Sequence, residues 1–207
     1  MAVHRGKQMK KKFSCVQGCS DCCIYREYYP SVEYGKIGVL LLPEEKDAIE
    51  RVAKNKGIRV RIIPRLAVGK NSPDKIIAYQ MMGKNEDGNL CPFLDVESNE
   101  RSAHGGFKCK IYSDRPLACR AYPLNDIANK TARFDPHCQF CKKFSTTKAS
   151  SEGLQREIEA LAKIRDTVTA ADDDDDDAGA GPVSIWRYAT ATGKSNNLLP
   201  EGWILER

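Results

Sequence analysis

Phe13-Ser14-Cys15-Val16-Gln17-Gly18-Cys19-Ser20-Asp21-Cys22-Cys23-Ile24 places four thiols, Cys15, Cys19, Cys22 and Cys23, within nine residues. Gly18 and the Ser20-Asp21 pair keep the stretch small and polar, which reads as a loop. A loop turns backbone amides toward sulfur and lets neighbouring thiolates converge, and the thiolate is the form of cysteine that binds metals. Five further cysteines follow: Cys91, Cys109 and Cys119 singly, then Cys138 and Cys141 two residues apart. The rest of the chain is read as a scaffold that brings these to the loop.

The chain has 207 residues, enough for one domain with a core. Its 41% hydrophobic and 29% charged residues are ordinary for a globular protein. No apolar run approaches the roughly 20 residues of a membrane span. The basic N-terminus has no apolar stretch after it, so a secretory signal is not expected and a cytoplasmic location is. In that setting nine cysteines read as metal ligands rather than disulfides.

Charge is uneven within the net +5. Residues 1–12 form a basic arm expected to be disordered, and nucleic acid is not its expected partner. Residues 13–171 read as the cysteine-cluster domain and 172–182, with six consecutive aspartates, as a flexible linker. The segment 183–207 holds Ile185, Trp186, Tyr188, Leu198, Leu199, Trp203 and Ile204, too much apolar surface for water. It is expected to dock on the domain or on a protein partner. Oligomeric state is left open.

The expected class is α+β. Pro43 with Glu44 and Glu45 opens a helix over 44–56 that Gly57 stops, with Ala48, Ile49, Val52 and Ala53 inward. Period-two alternation makes 58–63 a strand, with 75–82 as its antiparallel partner across Gly69–Pro73. Asp87-Gly88-Asn89 reads as a turn, and 90–94 and 107–112 as short extended pieces that carry Cys91 and Cys109. A turn at Asp114-Arg115-Pro116 leads into a short helix bearing Cys119. The stretch 124–145 shows little period, and 152–171 is an amphipathic helix with Leu154, Ile158, Leu161, Ile164 and Val168 on one face.

Cys15, Cys19 and Cys22 have the spacing that wraps three corners of a [4Fe–4S] cube, as in radical S-adenosylmethionine enzymes, but the repeated strand–helix alternation of those enzymes is missing. Cys19-x2-Cys22 and Cys138-x2-Cys141 are also two halves of a four-thiolate zinc site. The adjacent Cys22-Cys23 pair is awkward for one zinc, because successive side chains point different ways. One zinc would also leave Cys91, Cys109 and Cys119 over. An iron–sulfur cluster, [4Fe–4S] in the first instance, is therefore preferred to zinc. His137 is a weak candidate ligand, and His4 and His104 have no sequence partner that raises them above background. Tyr25, Tyr28, Tyr29 and Tyr34 read as core aromatics or as an apolar lid over the sulfurs. Arg115 and Arg120 flank Cys119 and are expected to offset thiolate charge around the cofactor. No phosphate-binding glycine loop or nucleophile–base motif is present, so catalysis is left open.

Phe13-Ser-Cys-x3-Cys-x2-Cys-Cys, Cys91-Pro-Phe-Leu94, and Cys109-Lys-Ile-Tyr-Ser-Asp-Arg-Pro-Leu-Ala-Cys-Arg-Ala-Tyr-Pro123 together resemble the YkgJ-type cysteine-cluster family, the CxxCxxCC zinc- or iron-chelating domain, over about 13–145. The resemblance implies metal ligation by Cys15, Cys19, Cys22, Cys23, Cys91, Cys109, Cys119 and Cys138. This chain departs from the pattern in its first spacing and in the extra Cys141. Some family members are Fe–S oxidoreductases, and the domain occurs in flagellin lysine N-methylase. The resemblance therefore implies a methylase-like or oxidoreductase enzyme as an alternative to a purely metal-binding role. A zinc-stabilised nucleic-acid or protein-binding module is the third reading.

Overall fold

The computed structural model describes residues 11–24, 38–84, 90–173, 184–188 and 202–206. A single helical turn, α1 (Asp21–Ile24), follows the cysteine loop. β1 (Val39–Leu41) leads into α2 (Pro43–Asn55), where Pro43 sits in the first turn and the acids Glu44 and Glu45 face the positive end of the helix dipole. Ile49 and Ala53 are buried while Ala48 and Val52 are half-buried, and Gly57 ends the helix at φ +64°. The hairpin β2 (Ile62–Gly69) and β3 (Lys75–Met81) follows, with Ile62 opposite Met81 and Val68 opposite Lys75.

The first strand lies four residues further on than its alternation suggests. Residues 58–61 keep a strand's exposure pattern but pair with no described strand, whereas β2 runs on through Pro64 to Gly69. Pro64 is tolerated because β2 has β3 alone as neighbour over its first half; its other edge is paired only over Leu66–Gly69. A register shift between Pro64 and Leu66 marks the same place.

β4 (Leu94–Asp95) and β5 (Lys108–Cys109) form a two-stranded ladder with Leu94 opposite Cys109. Cys91 itself lies in the turn before β4. A 3-10 turn at Tyr112–Asp114 precedes α3 (Leu117–Ala121), with Pro116 at its N-cap. The stretch of little period resolves into β6 (Leu124–Ala128), β7 (Thr131–Phe134) and α4 (Gln139–Phe144). Asn129 and Lys130 take φ +49° and +59° in a two-residue turn between β6 and β7, the left-handed pair that tight hairpins favour. β8 (Lys148–Ser150) completes that three-stranded sheet in the order β6-β7-β8.

α5 (Gln155–Asp173) starts after buried Leu154 and takes in the first two aspartates of the acidic run. β9 (Ser184–Tyr188) pairs with β2, and β10 (Trp203–Glu206) pairs with β9, which gives an antiparallel sheet ordered β1-β3-β2-β9-β10. Trp186 and Trp203 are buried against Ala67, and the Trp186 indole N–H donates to the Gly69 carbonyl at 3.0 Å. Helices and short antiparallel sheets make the protein α+β. No described helix is long and apolar enough to cross a membrane. The Tyr25–Tyr34 aromatics, the Asp87–Asn89 turn, the basic arm up to residue 10, Leu198, Leu199 and the rest of the acidic run lie outside the described residues.

Among the described residues the buried apolar side chains form five clusters, and the two largest flank the cysteines. One gathers Val39, Leu41, Ile49, Met81, Phe93 and Ile111, with half-buried Cys91, Cys109 and Cys119 against it. The other gathers Leu124, Phe134, Phe140, Cys141, Ala149 and Leu154, with Phe13, Val16 and Cys138 against it. Phe13 packs at 4.9 Å from Phe134 and 5.1 Å from Phe140, ring centre to ring centre, so the start of the cysteine loop is anchored in the second core.

Candidate metal centre

The cysteine loop is fastened at several points to the loop 102–107. Gly18, at φ +75°, donates its N–H to the His104 carbonyl at 2.7 Å. His104 Nε2 lies 2.9 Å from the Cys19 carbonyl, and buried Ser20 accepts the Phe107 N–H through Oγ at 2.7 Å. Gly106 passes so close that a Cβ there would stand 2.2 Å from the Cys19 carbonyl oxygen. The Cys23 N–H then donates to the Ser20 carbonyl at 2.8 Å and opens α1. α1 carries Cys22 and Cys23 on its single turn, and Cys19 lies two residues before it.

The other thiols arrive on separate elements. Cys91 is delivered by its own N–H, which donates to the Cys23 carbonyl at 2.7 Å. Cys109 ends β5, Cys119 lies in α3 and Cys138 caps α4. All nine cysteines are free thiols. Eight of them, Cys15, Cys19, Cys22, Cys23, Cys91, Cys109, Cys119 and Cys138, line one cavity of about 230 Å³ between the two cores. Phe93 and Ile111 from the first core and Phe13 and Phe140 from the second supply its apolar wall. Cys141 is not on that wall; it is buried among the aromatics of the second core.

The adjacent pair Cys22 and Cys23, expected to diverge, brings its sulfurs to 3.9 Å. That separation is short enough for the two thiols to serve adjoining parts of one centre. Among the described residues no three Cys, His, Asp or Glu side chains are gathered tightly enough to hold an ion as they stand. The thiols ring a space rather than meet at a point. The donor set, eight thiols with Asp21 and Glu157 as the carboxylates on the wall, is dominated by sulfur and fits a thiolate-bound metal centre.

Electrostatics divide the ring. Cys15, though exposed, is pushed up to about 11 by the desolvation its surroundings impose, with Cys22, Cys138 and Cys19 adding to it. Cys138 is raised by burial, with Cys19 and Cys22 contributing. Cys23 is raised by its hydrogen bond with Cys22 and by burial, then by Cys22, Cys91 and Cys119 as neighbouring charges. Burial raises Cys109, Cys119 adds to it, and Arg115 opposes it. Cys22 takes part on both sides. Without a cation these sites favour the neutral thiol; a bound metal reverses that preference.

Arg115 and Arg120 both line the cavity. Arg115 Nε donates to the Tyr112 carbonyl at 3.1 Å and its guanidinium lies 3.9 Å over the Tyr112 ring. Arg120 Nε donates to the Arg115 carbonyl at 2.7 Å. Each side chain therefore holds the turn into α3 while its charge stands beside the thiols. His104 does have a role, in positioning the Cys19 carbonyl at the cavity wall, and the adjacent Gly105-Gly106 was the sequence signal for a close approach there. His137 is exposed beside Asp135, 3.0 Å from its carboxylate, and off the cavity wall.

A cavity walled by sulfur, shared by two cores, defines a cysteine-based metal-binding domain. Residues 14–150 match the CxxCxxCC family, described as "Putative zinc- or iron-chelating domain". The chain belongs to that family. No curated protein and no solved structure matches it.

Proposed function

We propose that the cavity holds a polynuclear metal centre with two adjoining halves. One is formed by Cys15, Cys19, Cys22 and Cys138, the other by Cys23, Cys91, Cys109 and Cys119. The observation that carries this reading is the arrival of eight thiols from five separate segments on the wall of one cavity of about 230 Å³. Cys91, Cys109 and Cys119 pack against one core and Cys138 against the other; as neighbouring charges, Cys19 and Cys22 act on Cys15 and Cys138, Cys91 and Cys119 act on Cys23, and Cys22 acts on both halves.

An iron–sulfur centre is the first reading. The space far exceeds the room of a bare ion, since even a water takes only about 30 Å³ of liquid, whereas a cluster brings bridging sulfides of its own. Such a group supplies one-electron transfer when bound; Arg115 and Arg120 then offset thiolate charge, and the apolar wall limits water access. A pair of zinc ions with a structural role is the second reading, favoured by the even division of the eight thiols into two sets of four.

Protein purified without oxygen tests both. Iron with an equal amount of acid-labile sulfide and broad visible absorption is the expected result. A colourless protein with two zinc ions would select the structural reading. Metal-free protein that takes up neither metal would remove the proposal.

A further inference from the structure

A second concavity, a groove of about 600 Å³, lies at the open end of the β2–β3 hairpin, and no cysteine lines it. The backbone bond from Met82 N–H to the Arg61 carbonyl (2.8 Å) closes that end of the ladder. Before it, Ile58 and Val60 are half-buried while Arg59 and Arg61 are exposed, the alternation of a strand with no described strand beside it. Among the described residues, the backbone of Arg59 and of Val60 makes no hydrogen bond, so an extended chain laid alongside would find open donors and acceptors.

Leu94 and Val96 also line the groove; Leu94 is buried at its floor, and Val96 is one of three large apolar side chains left exposed among the described residues. Lys84 and Lys110 join Arg59 and Arg61 on the rim. Arg59, Arg61 and Lys84 have no ion pair among the described residues, Lys110 is 3.8 Å from Asp95, and Glu97 is the one described carboxylate lining the groove. Among the described residues no aromatic side chain lines it, so they offer no stacking platform of the kind that holds single-stranded nucleic acid.

We propose that residues 58–61 are a docking edge for an extended protein segment in which acidic and apolar residues alternate. The segment adds a strand beside Ile58–Arg61, sets its apolar side chains against Val60, Leu94 and Val96, and pairs its acids with Arg59, Arg61 and Lys84. This does not depend on which metal the cysteines hold.

The test is fluorescence anisotropy of the full chain, metal-loaded as purified, with a labelled peptide of about eight residues alternating Glu and Val. Saturable binding is expected, weakened about tenfold by Arg59→Glu with Arg61→Glu and by raising salt, with metal content and melting temperature unchanged. Lys84→Glu reports on the same rim should the double variant fail to fold. Absence of saturable binding would overturn the proposal. So would equal binding of a peptide with Lys in place of Glu, or of an all-Glu peptide. Tighter binding of a single-stranded oligonucleotide, lost in the same variants, would instead assign the groove to nucleic acid and overturn the protein-segment assignment.

Discussion

The Glu45 carboxylate closes the N-termini of two helices at once: Oε2 accepts the Leu42 N–H at 3.0 Å and Oε1 accepts the Leu117 N–H at 2.7 Å. The first bond caps α2 from within, and the second ties α3, and with it Cys119, to α2 across 72 residues of sequence. Glu45→Ala leaves two helix-start amides unpaired and is expected to cost about 1–3 kcal/mol. Chemical denaturation measures that loss. Metal retained after a fixed exposure to chelator should fall in parallel, because the element that positions one ligand has lost its tether.

Gly106→Ala forces a methyl group to 2.2 Å from the Cys19 carbonyl, so backbone must shift where the cysteine loop is held. Gly57→Ala meets nothing within 4 Å and pays only for φ +64°, about 1–2 kcal/mol. The expected contrast is a Gly57 variant that keeps its full metal content and a Gly106 variant that loses a large part of it. Equal metal content in the two would show that the 102–107 loop does not hold the site in shape.

Cys22→Ser and Cys141→Ser separate a thiol on the cavity wall from one in the core. Cys22 influences thiols of both halves, so its replacement is expected to reduce bound metal more than that of any other single cysteine. Cys141→Ser should leave metal content unchanged but lower stability by about 1–2 kcal/mol, because it sets a hydroxyl among Phe134, Phe140 and Leu154. Elemental analysis and thermal melts read the two outcomes independently.

The pH dependence of the metal-free protein follows from the raised thiols. Cys15 moves from 9.0 to about 11 on folding. Between those values the unfolded chain has released a proton that the folded chain still holds. Its contribution to stability is therefore complete below pH 9 and declines as pH rises toward 11. A loaded protein holds thiolates that the unfolded chain takes back as thiols below about pH 9, so loading reverses the sign of the dependence there. Denaturation midpoints should fall between pH 9 and about 11 for metal-free protein, and rise from about pH 8 toward 9 for loaded protein. A metal-free midpoint that does not move would contradict the raised Cys15 thiol.

Residues 184–188 and 203–206 carry a stability prediction of their own. Removing 183–207 strips β9 from the second half of β2 and uncovers Ala67 where Trp186 and Trp203 pack. The truncated chain is expected to melt at lower temperature, and binding of a hydrophobic dye should rise.

Local chemistry was enough to read α2, the β2–β3 hairpin and most of α5 from the residues. Proline and acids at the start of α2, glycine at its end, and apolar spacing along 154–164 are short-range signals of kinds that tertiary contacts seldom override. The β6–β7 hairpin was missed although Asn129-Lys130 and the alternation Ala132, Phe134 marked it, because strands this short carry little period. The first strand lies four residues beyond its expected start for the opposite reason: 58–61 has the pattern of a strand, but among the described residues no strand pairs with it.

The sequence by itself determined that this chain is rich in thiols, belongs with cysteine-based metal sites, and begins its centre at Cys15–Cys23. Only the tertiary structure decided that Cys91, Cys109, Cys119 and Cys138 share a wall with that loop while Cys141 does not. Spacing along the chain fixes geometry over a turn or two. Thiols more than a hundred residues apart meet only where two cores, the Glu45 tether and the His104 and Ser20 contacts bring their backbones together.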